Sequence, residues 1–390
     1  MDVDGGRGCG EKNCGLTSGF PEDCSNQECH WEEPMFGLIE LVCVTVIYIP
    51  LMLFGLLGNI LTILVVWLRP HMRTSTYLYL SSMAVSDLLI LLLLPLDLYK
   101  LWRPRPWPLG DLACKLTMFL SECCTFCTIL HITFLSLERY LAVCWPITAK
   151  TVVTRRRTRA IIGCLWLSAA VSAAPVLVMV GVEDGGGMDR SSNEGRGGET
   201  DKRECRCTHF AISSGLLSAM MILSNLYFLV PLCILGVVYS LIGRTLWLRP
   251  KSSRRDQSHR NTVKMLGVIV LAFVLCWLPF HVGRTIFSLS LVFSDTYAPP
   301  DTHLYFLYYL SQYFNLVSSV LFYLSAAINP LLYNLMSARY RHAVRSLIRE
   351  HHSLIPAGLT AAGVSLLFLP GDSSRLIVLT QHKTIHNSTH

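Results

Sequence analysis

Phe36–Leu68 reads FGLIELVCVTVIYIPLMLFGLLGNILTILVVWL. A helix needs roughly 20 apolar residues to cross a bilayer core, and this run exceeds that. Further runs of that size or longer occupy Thr76–Tyr99, Ala113–Cys144, Arg159–Val182, Ser213–Leu246, Val263–Leu291 and Leu304–Leu335. The expectation is an all-α membrane protein, a seven-transmembrane helix bundle. Composition agrees: of 390 residues, 52% are hydrophobic and 15% charged, where a soluble domain carries about 25% charged residues. Pro95, Pro175, Pro231, Pro279 and Pro330 lie within spans, where membrane helices tolerate them as kinks. The last span is the least hydrophobic, with Gln312, Asn315, Ser318, Ser319, Ser325 and Asn329, and is expected to face protein and water more than lipid.

Loop charge sets the orientation. Arg69 and Arg73 follow the first span, and Lys150, Arg155, Arg156, Arg157 and Arg159 the third. Arg249, Lys251, Arg254, Arg255 and Arg260 follow the fifth, and Arg339, Arg341, Arg345 and Arg349 the seventh. The positive-inside rule places these in the cytoplasm. Residues 1–35 then form an extracellular amino-terminal tail, 36–349 the membrane domain and 350–390 a cytoplasmic tail. The first tail is polar and has no apolar h-region, which predicts no cleavable signal peptide. Tyr340, Val344, Leu347 and Ile348 fall at helical spacing among arginines, which predicts a short amphipathic helix over 337–349 on the inner membrane surface. The formal net charge of +7 is thus divided among short juxtamembrane loops and gives no nucleic-acid footprint. Cys43, Cys123, Cys124, Cys127, Cys164, Cys233 and Cys276 sit inside apolar runs, where thiols act as small core residues. Cys9, Cys14, Cys24 and Cys29 lie in the outer tail and allow three pairings.

Seven spans serve several chemistries, and the polar residues inside them discriminate, because each ionisable group there costs about 2.5–3.5 kcal/mol. On the third span Cys114 and Arg139 are 25 residues apart, about 37 Å of helix, so they mark opposite mouths. Glu138-Arg139-Tyr140 ends that span. Asn59 lies in Gly58-Asn59-Ile60 on the first span, Asp87 on the second, Trp166 on the fourth, and Pro231 and Tyr239 on the fifth. Cys276-Trp277-Leu278-Pro279 lies on the sixth and Asn329-Pro330-Leu331-Leu332-Tyr333 on the seventh. This ordered series, one per span, resembles the rhodopsin-like G-protein-coupled receptors from Phe36 to Arg349. The resemblance implies a switch built from Glu138, Arg139, Tyr140, Tyr239, Trp277, Pro279, Asn329, Pro330 and Tyr333. It implies a heterotrimeric G protein as partner at the cytoplasmic face, with arrestin and receptor kinases besides, and a multi-pass location in the plasma membrane. It also implies an allosteric sodium ion at Asp87, with Thr128, Ser325 and Asn329, and no other cofactor. A protonated Asp87 bonded to Asn329 is the plainer alternative. Cys205 is placed to reach Cys114 as the family's disulfide does, and Cys207, two residues on, competes for that pairing.

The pocket residues narrow the ligand. Where amine receptors carry a third-span Asp, this chain has Ser121; where opsins carry a seventh-span Lys, it has Tyr323. Glu122 lies about 12 Å into the bundle below Cys114, and Arg284 stands at a similar depth above Pro279. Opposite charges at one depth offset each other's insertion cost, and Arg suits a bidentate carboxylate contact; the alternative is that each snorkels separately to the surface. Asp97 adds an acid to the same mouth. Such a pocket suits a ligand with charged and apolar parts, hence a peptide. Longer strings, among them Pro95-Leu96-Asp97-Leu98, Cys276 through Arg284 (CWLPFHVGR) and Leu321 through Pro330 (LFYLSAAINP), resemble the ghrelin and motilin receptor family. That resemblance implies a pocket lined by Asp97, Glu122, Phe280 and Arg284 with Phe228 and Phe322, an acylated ghrelin-like peptide hormone as agonist, and Gq-type signalling to phospholipase C and calcium. A motilin-type peptide is the alternative. Many relatives restrain the motif arginine with an acid at the inner end of the sixth span; here that position is His259, with Asp256 the nearest acid, so basal activity is expected. Departures fall in the outer loops, with Gly185-Gly186-Gly187, Gly195 through Gly198 and a Ser294–His303 stretch, and at Tyr77, where relatives carry Asn. An intramembrane enzyme would need paired aspartates or a Gly-x-Ser-x-Gly serine with a His partner, and a transporter internal repeats. The chain shows neither pattern.

Overall fold

The computed structural model describes residues 36–184, 203–248, 254–296 and 302–354. Seven of its helices are long and apolar enough to cross a membrane. They are α1 (Leu38–Leu68), α2 (Ser75–Trp102), α3 (Gly110–Cys144), α5 (Arg155–Ala173, continued by the short α6, Val176–Met179), α8 (Leu216–Leu248), α9 (Arg254–Thr296) and α10 (Thr302–Met336). Short helices α4 (Pro146–Val152) and α7 (His209–Ser213) fill two connections, and α11 (Ala338–Leu354) follows α10. An antiparallel pair, β1 (Val180–Asp184) and β2 (Arg203–Cys207), precedes α7, with Val182 opposite Cys205 and Val180 opposite Cys207.

Two physical details hold the bundle in register. Pro330 has no N–H to give the carbonyl four residues earlier, and that carbonyl, on Ala326, instead accepts from Asn59 Nδ2 of α1 at 2.9 Å. The same Asn59 amide also donates to Gly55 O at 2.9 Å. The close approach this requires depends on Gly58: a Cβ there would stand 2.7 Å from Pro330 Cβ. Most of the buried apolar side chains form one cluster along α1, α2, α3, α8, α9 and α10, with Trp277, Tyr79, Tyr323 and Tyr333 among its largest members.

Several boundaries differ from the hydropathy reading. The fourth span was expected to run to Val182, but Pro175 interrupts the helix and the chain turns into β1 at Val180. The fifth begins at Leu216 rather than Ser213, because Gly215, at φ 74°, takes the left-handed region between α7 and α8. The amphipathic helix runs past 349 to Leu354. Its apolar face buries Tyr340, Ala343 and Val344. Two hydroxyl pairs fasten it: Tyr340 with Thr62 of α1 at 3.0 Å, and Ser337, just before the helix, with Tyr77 of α2 at 3.0 Å. Tyr77, the departure at the base of the second span, thus has a partner of its own. Cys9, Cys14, Cys24 and Cys29, both glycine-rich runs and Pro299-Pro300 lie outside the described residues.

Candidate functional site: the polar interior of the bundle

At the Cys114 end of the bundle, Cys114 and Cys205 are joined by a disulfide with 5.6 Å between their Cα atoms. The bridge ties β2 to the start of α3, and among the described residues Cys207 is a free thiol. An ion-pair network crosses the same surface. Arg105 Nε donates to Glu204 Oε2 and Arg206 Nη1 to Glu204 Oε1, both at 2.9 Å, while Arg206 Nε stands 3.7 Å from Glu183. Burial acts to raise the Glu204 carboxyl, but these hydrogen bonds and the two guanidinium charges outweigh it and hold the group below the usual range. Burial, reinforced by the charge of Glu183, pushes the Cys207 thiol up to about 11.

Below the hairpin, Glu122 of α3 and Arg284 of α9 meet. Arg284 Nη1 donates to Glu122 Oε2 at 2.5 Å, with the acid side chain 8% exposed and the base 24%. Neither side chain snorkels away. Glu122 Oε1 is buried without a hydrogen-bond partner among the described residues, as are Ser224 Oγ and both ring nitrogens of His281. His281 stacks on Phe228 at 4.6 Å, so it reaches α8 from α9 just below Arg284. The sequence reading missed His281 and Ser224: nothing in their spacing separates a pocket residue from a core one. Between α10 and α2, Tyr323 donates its hydroxyl to Asp97 Oδ2. The Tyr323 ring lies 5.2 Å from Tyr48, and Lys100 Nζ sits 5.0 Å from the Trp107 ring centroid.

Beneath the ion pair lies an aromatic stack. Phe280 and Phe322 are parallel at 5.0 Å, and Trp277 touches both, at 5.9 Å and 5.4 Å. Phe228 does not stack on Phe280 or Phe322; among the described residues it joins them through Phe273, at 5.9 Å, and His281. Ser318 donates to Pro279 O at 3.1 Å, linking the α9 kink to α10.

Deeper still, Asn329 Nδ2 donates to Asp87 Oδ2 at 2.9 Å, with both residues buried. Thr128 and Ser325 do not turn to that carboxylate: Thr128 Oγ1 pairs with Ser86 Oγ at 2.9 Å, and Ser325 donates to Phe322 O at 2.7 Å. All four nevertheless offer oxygen, the donor type a hard cation takes, so the set fits a sodium ion. At the opposite end of α3, Arg139 Nη2 donates to Glu138 Oε1 at 3.1 Å. The hydroxyls of Tyr239 and Ser136 lie 3.4 Å apart, and Tyr140 accepts from Trp145 Nε1 at 3.4 Å. The Tyr333 hydroxyl is buried without a partner among the described residues. The side chains of Asp256 and His259 lie outside the described residues.

A bundle with a polar cluster at one end, a buried carboxylate midway and a Glu-Arg-Tyr triplet at the other defines a seven-helix receptor. Residues 58–333 match the family model of the 7 transmembrane receptor (rhodopsin family), and the chain belongs to that family. Within it the chain falls in the ghrelin/motilin receptor branch. It is 52% identical to the growth hormone secretagogue receptor type 1 of Sus scrofa over 321 residues, covering 81% of this chain and 83% of that one. To the Homo sapiens receptor of that name it is 51% identical over 314 residues, covering 79% and 81%. To the motilin receptor of Homo sapiens it is 44% identical over 357 residues, covering 82% and 83%. It is a multi-pass membrane receptor and not an enzyme.

Proposed function

We propose that the chain is a receptor for a ghrelin-like acylated peptide hormone. The observation that carries this is the Glu122–Arg284 pair, set across a pocket walled, apart from Asp97, mainly by aromatic side chains. Such a pocket offers a charged centre to a peptide's polar backbone and an apolar compartment to a lipid-like side chain. The similarity to growth hormone secretagogue receptors supports the same reading. Asp97, Phe280, Phe322 and, through His281, Phe228 complete the wall. The Cys114 end faces outward, where a disulfide persists, and the arginine-rich Arg139 end faces the cytoplasm.

Agonist binding shifts an existing inactive–active equilibrium by favouring one state. Pro279, two residues above Trp277 on α9, is the hinge, and the Arg139 end takes up a heterotrimeric G protein, of the Gq type, with arrestin and receptor kinases as later partners. Asp87, Thr128, Ser325 and Asn329 would hold a sodium ion, which would supply a fixed positive charge favouring the inactive arrangement. The deciding experiment is calcium release in cells expressing the chain, challenged with acylated ghrelin, des-acyl ghrelin and motilin. Potency for acylated ghrelin well above the other two is the expected order. Motilin in first place would move the chain to the second reading, which its 44% identity to a motilin receptor favours.

A further inference from the structure

Cys207 is a thiol outside the membrane spans that neither the pocket nor the bridge uses. It stands two residues beyond Cys205, and side chains two apart on a strand share a face. Cys114, Cys205 and Cys207 pack in one apolar cluster with Val176, Met179 and Val180. In the observed register Cys205 lies opposite Val182 and Cys207 opposite Val180. A slip of one residue would turn every side chain over, but a slip of two preserves each face. It would bring Cys207 opposite Val182, where Cys205 now stands. The move requires about 7 Å of additional reach between Cys207 and Leu216. The 5-residue helix α7 lies in that stretch, and unwinding it from 1.5 Å to about 3.3 Å per residue releases about 9 Å. The slack is sufficient.

We propose that Cys207 is a second bridging partner for Cys114, giving the β1–β2 hairpin two disulfide isomers, one for each register. The step is a thiol–disulfide exchange. The Cys207 thiolate attacks Cys114 Sγ, the Cys114–Cys205 bond breaks, and Cys205 leaves as a thiolate that takes up the proton Cys207 released. Nothing is oxidised or reduced overall. The observed isomer is held by contacts that the slip breaks. Thr208 N and Oγ1 donate to Met179 O at 2.9 Å and 3.1 Å. Thr208 Oγ1 also caps α7 by accepting from Ala211 N, and His209 N donates to the Glu183 carboxylate at 3.1 Å. Burial beside Glu183 keeps the thiolate scarce at neutral pH, so exchange waits on opening of the ladder. In the second isomer Glu204 leaves Arg105 and Arg206 leaves Glu183, which redraws the charge at the mouth of the pocket.

Trypsin cleaves after Arg203 and Arg206, so it puts Cys205 on the peptide Glu204–Arg206 and Cys207 on the peptide that follows. Full-length receptor, alkylated without reduction and digested, is mapped by mass spectrometry before and after incubation in a glutathione redox buffer. Untreated wild type should link Cys114 to Glu204–Arg206, and incubation should raise a Cys114–Cys207 linkage. Cys205→Ser should carry the Cys207 linkage alone, and Cys205→Ser with Cys207→Ser should leave Cys114 alkylated as a free thiol. If Cys205→Ser does not reach the surface, the incubated wild type decides. A Cys114–Cys207 linkage in either sample supports the proposal, and its absence from both overturns it.

Discussion

At Glu122 the two carboxylate oxygens have different fates: Oε2 takes the Arg284 guanidinium, and Oε1 is buried without a partner among the described residues. An acid held this way is half satisfied, and under the proposed function a ligand's N–H or O–H would supply what is missing. Truncating one member of a buried, hydrogen-bonded charge pair costs about 2–5 kcal/mol, and about 1.4 kcal/mol is tenfold in affinity. Glu122→Gln or Arg284→Ala should therefore raise the agonist concentration for half-maximal calcium release by at least about 30-fold, with surface expression still measurable by antibody. Normal potency in both variants would remove the pair from the pocket. Further down, Asp87 has one hydrogen bond from Asn329, while Thr128 and Ser325 are engaged elsewhere but keep oxygen lone pairs. If sodium occupies this set, replacing choline chloride by sodium chloride should lower agonist affinity in isolated membranes. Asp87→Asn should abolish that difference. A sodium effect that survives in Asp87→Asn would place the ion elsewhere. Pairings of this kind were legible where depth and charge suffice, as for Glu122 and Arg284. Phe228 was not, because whether it stacks on Phe280 or on His281 depends on the rotation of α8, which hydropathy does not specify.

Among the elements, the β1–β2 hairpin escaped the sequence reading. Val180 and Val182 continue the apolar run of the fourth span, and a turn at Pro175 and the four-residue α6 separate the strand from α5. The same hydropathy argument read the seven long helices correctly, because their length leaves no alternative in a bilayer. The hairpin is held partly by charge. Glu204, bonded by Arg105 and Arg206, has its carboxyl held below the ordinary value of 4.5. A depressed carboxyl contributes stability that is fully present above that value and is lost as pH falls through the folded one. The guanidinium groups are partly exposed, so the contribution is small. Wild type in detergent should melt on the order of 1–2 °C above Glu204→Gln at neutral pH, and the gap should close as pH drops below 4.5. A gap that widens in acid would contradict the assignment. At the other end α11 is fixed by Thr62–Tyr340 and Tyr77–Ser337. Its arginines and apolar face were visible in the sequence, but the two hydroxyl pairs were not, since each joins residues more than 250 positions apart.

Over the whole molecule, the proposed balance between resting and signalling states would rest on a few contacts at each end. Arg139 is bonded to its neighbour Glu138, and His259 stands at the inner position of the sixth span where the resemblance implies an acid. A surface-near ion pair there would be worth about 0–1 kcal/mol, so its loss raises the active fraction severalfold at most. Under the proposed function the aromatic stack would act in the same direction. Phe280 and Phe322 bridge α9 and α10 over Trp277, and each such pair contributes about 0.5–1.5 kcal/mol beyond its area. The two effects together are of the size that moves a two-state ratio by about tenfold. Cells expressing the chain should then accumulate inositol phosphates without peptide, in proportion to receptor density at the surface. Phe280→Ala removes one ring from the stack and should flatten that slope, and His259→Glu should flatten it by restoring an acid within reach of Arg139. A slope equal to that of untransfected cells would refute basal activity. A rising slope that neither substitution changes would place the bias outside both the stack and the inner end of α9.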